Sequence, residues 1–260
     1  MVSDRIMIDI IEVQLEWKYS PKNYFEEPIV FKEAGFVLEI SGGIALAKVE
    51  PSFYSQEPDI KEYLTQLLES RFQAVQIMSH KDYTLTKPSR TDLRKDGGKN
   101  VFVEVEPMVI KVSTGSPDIV IRDKDGNIVA DTKRDRLQKQ RWFSEVVAKY
   151  RGKDHTLDQI LKSYQMAVKD AKNELVYLYE IRDALAKRFK NAKSARQKLG
   201  ISKNEWDTLG RLANQEPLEQ GRHRGKAVGS LRPAGIQELD TARKCASRLV
   251  ELYLIFLETQ

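Results

Sequence analysis

Cysteine is nearly missing from this chain. Cys245 is the single one in 260 residues, so no disulfide forms within the chain and no cysteine cluster can hold zinc. It falls beside the apolar seam of a helical pattern, where a small buried side chain is its ordinary role. Histidine is almost as scarce. His80, His155 and His223 are scattered, which argues against a zinc site and against a Cys–His nucleophile pair. No apolar run approaches the ~20 residues needed to cross a bilayer. Met1-Val-Ser-Asp-Arg5 lacks the apolar segment of a secretory signal. The expectation is a cytoplasmic protein without membrane association. There is no P-loop, and no Gly-x-Gly-x-x-Gly follows a strand, so those modes of nucleotide binding lack support. Asp123-Lys-Asp-Gly-Asn127 lacks the twelve-residue frame and closing Glu of a calcium loop.

What is present reads as an α+β protein. Hydrophobic residues make up 41% and charged residues 31%, ordinary values for a globular chain of one large or two modest domains. Ile6, Ile8, Ile10, then Val13, Leu15 and Trp17 alternate with polar residues, with a phase slip near Ile11 that predicts a bulge. Strands are expected at 29–31 and 36–40, with Gly42-Gly43 turning into Ile44–Val49. Pro51–Pro58 reads as a loop. Over 59–78, Ile60, Tyr63, Leu64, Leu67, Leu68, Phe72 and Val75 form an inward helical stripe. A short strand is expected at 83–85, an exposed loop at 87–100, and strands at 101–105 and 108–112. The Asp125-Gly126 turn joins apolar runs at 118–122 and 127–130 as a hairpin. The domain reading is a mainly antiparallel sheet with a covering helix over 1–133, a connecting helix over 134–154, and an all-α bundle over 155–260.

Within the bundle, Leu175, Leu178, Arg182, Leu185 and Phe189 mark one helix. Ser202-Lys-Asn-Glu205 is a capping box opening a second. Leu239, Ala242, Ala246, Leu249, Tyr253 and Phe256 give the closing helix its seam. Between these last two lies a loop, 214–235, that is rich in glycine and proline. Arg182 to Arg248 holds 16 Lys and Arg against 7 Asp and Glu, while the whole chain is only +5. The basic balance is therefore local, which favours an anionic partner. Arg222, His223, Arg224 and Lys226 stand where glycines let backbone approach a phosphate. They are the candidate contacts for nucleic acid or another polyanion; the alternative is a solvated loop paired with Glu216 and Glu219.

Leu178-Tyr-Glu-Ile-Arg-Asp-Ala-Leu185, the Leu-Gly-Ile turn at 199–201, Leu212-Ala-Asn214 and Arg222-His223 resemble the helical layout of HEPN-type domains, from Thr156 to the C-terminus. The resemblance implies an all-helical, often homodimeric bundle of the kind found in bacterial defence and toxin systems. Ribonuclease members carry an Arg, four to six residues, then a His. No histidine here has an Arg at that distance, and Arg151 falls one residue short of His155. A binding or dimerising bundle is thus implied rather than a ribonuclease.

Pro117-Asp118 and, across the hairpin turn, Asp131-Thr-Lys133 resemble the core of PD-(D/E)xK nucleases. In that chemistry two carboxylates hold Mg²⁺, which activates a water, and the Lys positions it. With a two-residue turn, alternation puts Asp118, Asp131 and Lys133 on one face, with Ile119, Ile121, Ile128 and Ala130 on the other, core-facing side. Glu62 or Glu69 could add the helical acid such enzymes use. A cross-strand ion pair on a surface hairpin explains the same residues without catalysis. The leading expectation is a nucleic-acid-binding protein without a cofactor. The alternatives are a Mg²⁺-dependent nuclease and a protein-interaction module.

Overall fold

The computed structural model describes residues 10–102, 118–122, 125, 127–222, 224 and 229–260. It divides into two compact units, one of residues 1–72 and 83–117, the other of 73–82 and 118–260. The fold class is α+β, an antiparallel sheet followed by helices.

In the first unit, β1 (Ile10–Ser20) is the central strand. It is flanked by β4 (Ile44–Val49) and β6 (Ser89–Arg94), both antiparallel. β2 (Ile29–Glu33) and β3 (Phe36–Ser41) extend one side. β7 (Lys99–Phe102) extends the other, and β5 (Thr84–Leu85) pairs with the end of β1. The predicted bulge is present as a register shift between Ile10 and Glu12 against β6. Gly42 and Gly43 both take positive φ in the β3–β4 turn, as glycine allows. Val13, Leu15 and Trp17 are buried with Leu38, Ile40, Ala45 and Ala47.

Three expectations are corrected here, and a fourth lies largely outside the described residues. Pro51–Gln56 is a short helix, α1, because Pro51 stands in its first turn, where its fixed φ suits a helix and its missing N–H costs nothing. The stripe of α2 (Ile60–Ser79) is buried except at Tyr63, which is 45% exposed and donates its hydroxyl hydrogen bond to Glu33 Oε2 at 3.2 Å. The stretch 87–100 is not a loop but most of the β6–β7 hairpin. It escapes an apolar search because its inward residue is Asp92, held by Arg90 at 2.6 and 2.8 Å. Of the two strands expected over 101–112, only Val101 and Phe102 lie among the described residues.

The second unit contains β8 (Val120–Arg122) and β9 (Ile128–Asp131), then α3 (Thr132–Tyr150), α4 (His155–Lys169), α5 (Glu174–Arg188), α6 (Ala192–Leu199), α7 (Lys203–Asn214) and α8 (Ile236–Glu258). A single core joins Phe143 and Val147 of α3 to Leu157 and Tyr164 of α4, Leu178 of α5, Trp206 of α7 and Tyr253 of α8. Two boundaries thus differ from the sequence reading. The segment 134–154, expected as a connecting helix, is mostly α3, which buries Phe143, Val146 and Val147 in this core. The 118–131 hairpin belongs with the helices rather than with the sheet. The last turns of α2 also belong to this unit: Ala74 and Ile77 enter its core, and the Ile77 carbonyl accepts from the Tyr164 hydroxyl at 3.0 Å. The capping box at Ser202 and Glu205 is formed as predicted, and the closing seam buries Ala242, Ala246, Leu249 and Tyr253.

Candidate polyanion-binding surface

The two ends of the loop between α7 and α8 are pinned among the described residues. The Arg222 N–H donates to the Ala213 carbonyl at 2.7 Å, and the Glu219 and Arg232 N–H groups donate to Arg232 and Pro217 carbonyls at 3.0 Å. Gly221 is needed at its place, because a Cβ would stand 3.0 Å from the Ala213 carbonyl oxygen. Arg232 grips Glu238 with two bonds of 2.7 and 2.8 Å, and Glu238 also accepts from the Gly235 N–H at 2.8 Å. Arg232 first, then that backbone bond, pull the Glu238 carboxyl down to about 2. Glu216 is occupied as well, 2.7 Å from Arg211.

Two of the four predicted contact residues can be placed. The Arg222 guanidinium pairs with Asp183 at 2.9 Å and lies 4.5 Å from the centre of the Tyr179 ring. Arg224 donates to the Lys172 carbonyl at 3.0 Å and to Asn173 Oδ1 at 2.6 Å. His223 and Lys226 lie outside the described residues. Beside Arg222, an open cleft of about 550 Å³ is lined by Tyr179, Arg182, Asn204, Asp207, Arg211 and Asn214, among others. Arg182 donates to the Tyr179 hydroxyl at 2.6 Å and lies 3.8 Å from Asp207.

The basic surplus divides by residue type. Arg182, Arg188, Arg211, Arg222, Arg232, Arg243 and Arg248 each face a carboxylate within 4 Å. Their forked guanidinium groups suit that role. The lysines do not. Among the described residues, Lys187, Lys190, Lys193, Lys198 and Lys203 have no ion-pair partner, and neither has Arg196. Those six positions fall in 184–204, a stretch with seven Lys and Arg and no Asp or Glu. The sequence reading missed them by following the glycines. The signal was there to read: the empty interval between Asp183 and Glu205.

The hairpin carrying the nuclease-like residues is arranged differently from its expected form. Val120 faces Asp131 and Ile121 faces Ala130, but a register shift follows at Arg122. β9 ends at Asp131, whose carboxylate caps α3 by accepting from the Arg134 N–H at 3.0 Å. Lys133 therefore stands in the first turn of a helix, and strand alternation does not align it with the two aspartates. Asp118 meets Arg136 at 2.8 Å, and that hydrogen bond lowers its pKa. The face expected to be core-facing is open, with Ile119, Ile121 and Ile128 all exposed. Glu62 and Glu69 belong to the other unit. Among the described residues no group of three or more acids, histidines or cysteines is placed to hold a metal ion. Cys245 is partly buried, and burial followed by nearby Glu205 raises its thiol pKa, which disfavours the reactive thiolate. No helix among the described residues is long and apolar enough to cross a membrane. No protein-family model matches the chain, and no curated protein or solved structure matches it either.

Proposed function

We propose that the protein binds nucleic acid through its helical unit, without catalysing a reaction on it. One observation carries this reading: between Arg182 and Arg248 there are 16 cationic against 7 acidic side chains, and the cations left without a carboxylate are mostly lysines at the surface. A lysine-rich face suits phosphates better than a protein partner, because protein–protein interfaces are depleted in lysine and enriched in arginine. Lysine is also a mobile point charge that tolerates the varied geometry of a polymer backbone. Counterion release then makes binding salt-dependent and largely independent of base sequence.

The test is fluorescence anisotropy with labelled single-stranded RNA, duplex RNA and duplex DNA over a salt series. Four to six neutralised phosphates on duplex DNA give a slope of log affinity on log salt of roughly −4 to −5. A protein that binds none of the three at low salt would end the proposal. The resemblance to HEPN-type bundles adds an expected homodimer, which sedimentation velocity on the free protein checks directly.

A further inference from the structure

We infer that the phosphate-contacting surface is the turn–helix–turn from Lys187 to Lys203, centred on α6, and not the glycine-rich loop. The inference rests on the nucleic-acid reading above and assigns it a location. The segment runs from the last turn of α5 through α6 to the first residue of α7. Lys187, Lys190, Lys193, Lys198 and Lys203 are exposed along it, with Arg196 half-buried.

Helix ends account for only some of these charges: Lys187 lies in the last turn of α5 and Arg196 and Lys198 in the last turn of α6, where the dipole favours a cation. Ala195 and Leu199 are the buried residues of α6, so the lysines occupy positions that packing does not use. Lys193 lies in the first turn of α6, where no acidic residue accompanies it and the helix dipole repels a cation. Lys190 has φ of 73° just past the end of α5, a left-handed position where glycine is the favoured residue. Six uncompensated like charges over 187–203, with no intervening acid, also repel one another. A polyanion relieves the dipole and like-charge costs together. In the loop, by contrast, Arg222 is neutralised by Asp183 and Arg224 is held by Asn173.

The experiment compares three full-length proteins for binding to duplex DNA and single-stranded RNA by anisotropy. They are the wild type, a variant with Lys190→Gln, Lys193→Gln, Arg196→Gln and Lys198→Gln, and a variant with Arg222→Gln and Arg224→Gln. Loss of four phosphate contacts should weaken duplex binding at least ~100-fold near 0.1 M salt and flatten the slope by about 3 to 4. The loop variant should keep most of its affinity. The α6 variant should melt within a few degrees of the wild type, since relief of repulsion offsets the helix-end charges lost at Arg196 and Lys198. Lys190→Gly, which its φ favours, supplies a second check, with a slope flatter by about one. If the wild type binds and the α6 variant binds equally well, this location is wrong while nucleic-acid binding stands. A wild type that binds neither polymer overturns both. Competition by polyglutamate as strong as by RNA of equal charge would mean an acidic protein partner, and overturns the nucleic-acid assignment.

Discussion

Glu174 shows what a single residue contributes to the helical unit. Its side chain is 2% exposed and accepts from Arg243 at 2.6 and 2.9 Å, with His80 Nε2 at 3.2 Å. Burial opposes its ionisation, but the bonds from Arg243 and His80 outweigh burial and leave its pKa below the ordinary 4.5. Stability from this carboxylate is thus complete above pH 4.5 and disappears as pH falls through the depressed value. Glu174→Gln should cost about 2–3 kcal/mol at pH 7, less than the ~3–5 kcal/mol of a fully buried pair because solvent reaches Arg243. Urea denaturation at pH 7 should show that difference, and the gap should narrow as pH falls well below 4.5. Lys190→Gly should act in the opposite direction. Removing an ordinary residue from a left-handed position gains about 1–2 kcal/mol. The looser unfolded chain of a glycine offsets about half of that, leaving about 0.5–1 kcal/mol of net stabilisation in thermal melts.

At the scale of elements, the pinned end of the loop just before α8 yields its own test. Its clasp, Arg232 with Glu238, stays ionic down to the carboxyl's pKa of about 2. The stabilising charge is therefore present above pH 4.5 and is lost only as pH falls toward 2. Glu238→Gln should speed amide exchange at Gly235 and Glu219 at neutral pH, while α8 beyond its first turn stays protected. Elements with a strong repeating pattern were legible in the sequence. β1 with its bulge, the Gly42-Gly43 turn, the buried stripe of α2 and the Ser202 capping box all appear where alternation, spacing or cap chemistry placed them. Those with weak or polar patterns were not. α6 is eight residues with two buried side chains, too short to declare a periodicity. β6 turns an aspartate inward, and only the pairing with Arg90 makes that tolerable. The expected strand alignment of Asp118, Asp131 and Lys133 is absent for a related reason. Asp131 serves equally as a strand residue and as a helix cap, and only the tertiary fold decides where the strand stops. Candidate contacts were half legible. Composition located the basic region, but which cations remain uncompensated depends on carboxylates such as Asp183, 39 residues from Arg222.

For the whole molecule, the division between the units falls inside α2, after Phe72. Residues 73–82 supply Ala74 and Ile77 to the helical core and His80 to Glu174. A fragment starting at Asp118 would retain all six C-terminal helices and still lack these groups. It should be less stable than the helical unit within the full chain, with the Tyr164 hydroxyl left without the Ile77 carbonyl. Circular dichroism melts of residues 118–260 against the intact protein measure the loss.

The same interleaving limits how such a protein can be rebuilt or diversified. A single crossover between genes inherits one half of the chain and strands ten residues of its neighbour's interior, so modular shuffling of the basic bundle onto other partners requires two joins, with α2 carried along.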